Sequence, residues 1–178
     1  MRLCQECGFD WDSGPDEVVT EIQRLPRAYR AGLTRLLKGE DGDTLVRTRP
    51  APEVWSALEY TAHMRDVLSF YLDRIRRVLA EDRPTMEAAD FASMVQERRD
   101  GEENVEAVLA ALEDGARAAS TLLASLDDAQ WERVGFGSEG DERSVLVLAG
   151  RLAHDGHHHL LDLGRVLRWV RDSDRPES

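Results

Sequence analysis

WSALEYTAHMRDVLSFYLDRIRRVLA, residues 55–80, is the stretch on which the fold turns. Ser56 and Glu59 have the spacing of a capping box, in which the serine oxygen accepts from the amide three residues on and the glutamate reaches back. Behind that start, Leu58, Thr61, Leu68, Leu72, Ile75 and Leu79 recur at helical spacing, which predicts a helix to about Asp82. A helix with one apolar stripe needs other elements to cover it.

The rest of the chain supplies three further long helices. Pro15 suits a first helical position, with Asp16 and Glu17 favourable to the helix dipole; this helix runs to about Leu37, with a kink expected at Pro26. Residues 38–54 are rich in Gly, Asp and Pro and read as a loop. Residues 84–101 read as a linker with one short helix over 86–98. Val105, Val108, Leu109, Leu112, Leu122, Leu123 and Leu126 predict a third helix over 102–126, and Asp127 caps a short turn through Trp131. A Gly-rich loop, 135–140, leads into a last helix from about Ser144 to Val170, and no segment carries a strand pattern. The expectation is an all-α, up-and-down four-helix bundle over residues 15–171, with an N-terminal arm (1–14) and a disordered tail (172–178).

The 178 residues carry 35 Asp and Glu against 23 Lys and Arg, a formal charge of −12. Such a surface repels phosphate backbones, because nucleic-acid binding depends on cationic side chains releasing counterions. Nucleic acid is therefore excluded as a partner. No run approaches the ~20 apolar residues of a membrane span, and no leader pattern opens the chain. The protein is expected in the cytoplasm, where Cys4 and Cys7 stay reduced.

Four of the five histidines, His154, His157, His158 and His159, fall within six positions of the last helix. At 100° per residue, with His154 as zero, His158 lies at about 40°, His159 at about 140° and His157 at about 300°. His159 thus shares the apolar stripe, where a carboxylate or carbonyl would satisfy it, and His157 reads as a solvated neighbour. His154 and His158 stack one turn apart, close enough to share an ion. His63, near the edge of the apolar face of its own helix, is the remaining histidine that could complete a set. Three neutral imidazoles suit Zn, Ni or Fe and leave positions open for water or substrate. The alternatives are an incidental histidine pair and a hydrogen-bonded, half-buried His63. Asp66, Asp155 and Asp162 are near enough to accept from ligand N–H groups, or are surface charge.

Cys4-x-x-Cys7-Gly-Phe-Asp lacks the second cysteine pair of a self-contained zinc ribbon. It reads as a packed, inert arm with Phe9 as anchor; a redox dithiol, or a metal site completed by a histidine, stays open.

Trp55-Ser-Ala-Leu-Glu-Tyr-Thr-Ala-His63 and Ala153-His154-Asp-Gly-His-His158-His159, together with the Cys-x-x-Cys-Gly-Phe-Asp arm and Arg49-Pro-Ala-Pro-x-Val-Trp-Ser56, resemble the DinB-like superfamily across nearly the whole chain. The resemblance implies a four-helix bundle with a divalent metal at one end, held by His63, His154 and His158. It also implies metal-dependent chemistry of a low-molecular-weight thiol: an S-transferase using mycothiol or a similar cofactor with an electrophilic substrate, in stress or detoxification. A non-catalytic metal- or small-ligand-binding bundle is the alternative. The maleylpyruvate isomerase of that superfamily has a glutamate where this chain has His154, which sets that reaction aside. A homodimer is compatible with the amphipathic helices.

Overall fold

A computed structural model describes residues 2–88 and 103–173. Among them are six helices: α1 (Pro15–Thr34), α2 (Gly42–Arg47), α3 (Ala57–Ala80), α4 (Val105–Ala124), α5 (Asp128–Trp131) and α6 (Val145–Ser173). A hairpin of β1 (Val134–Phe136) and β2 (Glu142–Ser144) precedes α6. The helix expected over 86–98 lies outside the described residues, apart from its first three positions.

The capping box at Ser56 forms as expected. Ser56 Oγ accepts from the Glu59 amide at 3.2 Å, and Glu59 accepts from the Ser56 amide at 2.8 Å. Glu59 also accepts from Arg49 Nε at 2.8 Å, which ties the helix start to the preceding loop. Asp127 caps α5 in the same reciprocal way with Gln130. In α1, Val18, Ile22, Leu25, Tyr29 and Leu33 form the buried stripe, and Pro26 is accommodated inside one continuous helix.

The four long helices make the expected bundle around one core. α1 packs against α4 and α6, and α3 packs against the same two, so α1 and α3 face each other across the diagonal. Helix directions follow from matched contacts. The Tyr29 hydroxyl donates to the Gly156 carbonyl at 3.1 Å, and Gly32 abuts Leu163, so α1 and α6 run parallel. Tyr60 meets His159 while Tyr71 is near Asp155, so α3 and α6 run antiparallel. Arg30 pairs with Glu106 at 2.8 Å, and Thr20 borders the same groove as Leu123, so α1 and α4 are also antiparallel. The order along the chain is therefore up, down, down, up: the four-helix bundle is as expected, and its simple up-and-down connection is not. Long connections permit this path, and apolar spacing carries no information about it.

Three local expectations change. The 38–54 loop contains α2, started by Asp41, whose side chain accepts from the Asp43 and Thr44 amides. The supposed glycine loop contains a hairpin in register Val134↔Ser144 and Phe136↔Glu142. Three-residue strands are too short to show alternation. Their pairing is completed by residues near the end of α3, with Met86 N–H donating to Phe136 O at 2.8 Å. The last helix continues to Ser173, into the stretch assigned to the tail. No described helix is long and apolar enough to cross a membrane.

Candidate metal centre

The arm is a tight loop. Leu3 and Asp10 form an antiparallel bridge, the Cys4 amide donates to Phe9 O at 2.8 Å, and the Gly8 amide donates to Cys4 O at 2.9 Å. Closing so short a turn needs positive φ at Gly8 (78°), a conformation that glycine adopts without a Cβ penalty. The turn directs the Cys7 and Glu6 amides at Cys4 Sγ. The Cys7 amide first, and then the neighbouring His154 ring, lower the Cys4 thiol to about 5. Cys7 moves the other way, raised chiefly by burial.

Phe9 fastens this loop to α6. It is buried, with its ring edge-on to Trp11 (5.5 Å) and His154 (5.6 Å). His157, expected to be solvated, has Nε2 3.0 Å from the Cys7 carbonyl and so braces the loop. Arg165 reaches Glu6 at 3.1 Å from the next turns of the helix.

The result is a group of four donors: Cys4, Cys7, His154 and His158, with ligand atoms all within 4.8 Å of one another. Cys4 Sγ is 3.8 Å from His158 Nδ1. His154 Nδ1 sits 3.2 Å from Asp155 Oδ1, while its Nε2 is buried and has no hydrogen-bond partner among the described residues. A carboxylate on one imidazole nitrogen fixes the other as the ligand, the usual arrangement behind metal-bound histidine. Tetrahedral zinc, with bonds of about 2.3 Å to sulfur and about 2.0–2.1 Å to nitrogen, would set its donors roughly 3.3–3.8 Å apart. The four side chains fit such an ion after adjustments on the order of one ångström.

Of the three histidines singled out by sequence, His154 and His158 join this group and His63 joins another. The His63 ring is 4.9 Å from that of His159, beside Trp55 (5.1 Å), with Tyr60 stacked near His159 (5.5 Å). Burial, with electrostatic repulsion from the neighbouring His159 as a second cause, lowers His63 to about 4 and holds it neutral. His159 Nδ1 lies 3.1 Å from Asp162 Oδ2, the carboxylate partner expected for it. The arm's cysteines face two imidazoles from a helix some 150 residues later, the arrangement of the alternative left open for them, a site completed by histidine. A signal for this was present, since Cys-x-x-Cys and His-x-x-x-His are each half of a four-ligand set.

A search of curated proteins gives no match. Among solved structures, the chain resembles YfiT from Bacillus subtilis, described as a "probable metal-dependent hydrolase with an unusual four-helix bundle topology". The TM-score is 0.78 at 16% identity, covering 88% of this chain and 87% of that one. At that identity the likeness establishes the fold. The sequence profile of the DinB superfamily matches residues 22–163. This chain belongs to the DinB superfamily.

Proposed function

We propose that this protein binds one divalent ion, zinc by preference, through Cys4, Cys7, His154 and His158, and that the ion fastens the N-terminal arm to the bundle. The observation that carries the reading is the convergence of two thiols and two imidazoles, one imidazole nitrogen being buried without a hydrogen-bond partner among the described residues. Two sulfur and two nitrogen donors favour zinc over harder ions. Four protein ligands also complete a tetrahedral shell, the form of a structural site, whereas catalytic zinc keeps a position for water or substrate. A non-catalytic metal-binding bundle is therefore the reading best supported by this set.

A second reading retains metal-dependent catalysis: thiol S-transfer with mycothiol or a similar cofactor, as the resemblance implies, or hydrolysis, as described for YfiT. It is favoured by the His63–His159 pair, whose imidazoles lie outside the four-ligand set. A bound ion there would have positions to offer a thiol or water. His63, kept neutral, is in the protonation state that a ligand needs.

Elemental analysis of untagged protein separates the two. The structural reading expects one zinc per chain, lost in Cys4→Ser and His158→Ala and retained in His63→Ala. The catalytic reading expects metal that depends on His63, and turnover of thiol with electrophile panels that ceases in His63→Ala. Protein without stoichiometric metal, and unable to take up added zinc, overturns both.

A further inference from the structure

Beside the metal centre, between the arm and the first turns of α6, lies a cavity of about 380 Å³. Trp11 forms one wall; Val18, Leu146 and Val147 line it with aliphatic groups. Gly150 also borders it, and a Cβ built there would meet nothing within 4 Å, so the helix leaves open room at that point. Val147 is 43% exposed on an otherwise well-covered helix start, an apolar surface without a partner of its own.

The polar groups are few and unequal. Arg151 is exposed at the rim and enters no hydrogen bond or ion pair among the described residues, Asp141 and Tyr71 acting on it only at a distance. Asp10 and Asp12 also border the cavity, but Asp10 Oδ1 accepts from the Asp12 amide at 3.0 Å and Asp12 has a partner of its own. Arg2 brings the cations at the rim to two, equal to the two carboxylates, so the anion contact is assigned to Arg151 alone. A half-open, mostly apolar cleft with a small number of charged groups at its edge is the usual form of a small-molecule site.

We propose that this cavity binds a flat, apolar or aromatic monocarboxylate, with its ring against Trp11 and its carboxylate on Arg151. The inference includes a dependence on metal, and in that part rests on the structural reading above. Trp11 belongs to the arm and stacks on the metal ligand His154 at 4.2 Å, so the wall of the cavity and the ligand sphere are one unit. Releasing the metal frees the arm and dismantles the site.

The probe is 1-naphthoate, titrated calorimetrically into the untagged full chain, with neutral 1-naphthylmethanol as control and zinc content measured on every sample. Naphthoate is expected to bind one per chain and more tightly than the alcohol. Arg151→Gln should weaken it at least about tenfold, the scale of losing one charge-assisted contact. Gly150→Phe fills the cavity and should abolish binding, with zinc content unchanged in both variants. Chelation should weaken binding at least tenfold as well. Absence of naphthoate binding at millimolar concentration, or equal affinity in Gly150→Phe, overturns the site. Equal affinity in Arg151→Gln, or alcohol binding as tightly as naphthoate, overturns the carboxylate assignment. Unchanged affinity after zinc is shown to be gone overturns the metal dependence. A chain that holds zinc through Cys4 and fails with naphthoate refutes this inference alone. Zinc that survives Cys4→Ser refutes the structural metal reading, while the two cavity variants still report on the site.

Discussion

Phe9→Ala tests whether arm docking and metal binding are one equilibrium. The ring is 5% exposed, and its burial is worth about 1.5–3 kcal/mol. Edge-on pairs with Trp11 and His154 at 5.5 and 5.6 Å add about 0.5–1.5 kcal/mol each. With some relaxation of the neighbours, the docked arm should lose about 2–5 kcal/mol. If the arm docks only with the ion, that loss appears as zinc affinity, and the lower bound of 2 kcal/mol is about 30-fold in Kd. Competition against a chromophoric chelator measures this directly. Thermal unfolding supplies a second readout: zinc-loaded variant should melt roughly 2–4 °C lower per kcal/mol for a domain of this size. Chelated variant and chelated wild type should coincide. Unaltered zinc affinity would refute the coupling. So would an equal drop in melting temperature with and without metal, since Phe9 would then belong to the bundle core in either state.

Further outcomes follow from the second histidine group and the cap. His63 is 6% exposed and lowered to about 4 from an ordinary 6.5, so between those values the unfolded chain binds the extra proton. Its contribution is complete above pH 6.5 and is lost as pH falls toward 4, on the order of 3 kcal/mol in all. His63→Gln should flatten the pH dependence of the urea midpoint in that window; an unchanged slope would mean that another group carries it. Glu59 is buried; burial raises its carboxyl, but bonds from Arg49 and Ser56 outweigh this and leave it below the usual carboxylate range. Glu59→Gln weakens the pairing with Arg49 and gives up one acceptor, so a loss of about 1–3 kcal/mol is expected in chemical denaturation at constant m-value. A midpoint equal to wild type would show that the cap does not need the charge.

Local chemistry made much of this protein legible. The Ser56–Glu59 box, Pro15 at a helix start and the stripe from Val18 to Leu33 act over three or four residues, so helices and bundle could be read without coordinates. The helical wheel likewise paired His154 with His158, because both sit on one rigid element. What the sequence could only leave as alternatives is which remote groups meet that pair. His63 and the arm cysteines are each separated from it by long stretches of chain, and apolar spacing is silent on the order in which helices surround the core. The up-down-down-up path brings α3 and α6 together so that His63 faces His159. The tight turn at Gly8 and the seating of Phe9 bring Cys4 and Cys7 to the other two imidazoles. Periodicity determined the faces of the helices; only tertiary packing decided which donors share a centre, because convergence across 150 residues depends on the path of the whole chain.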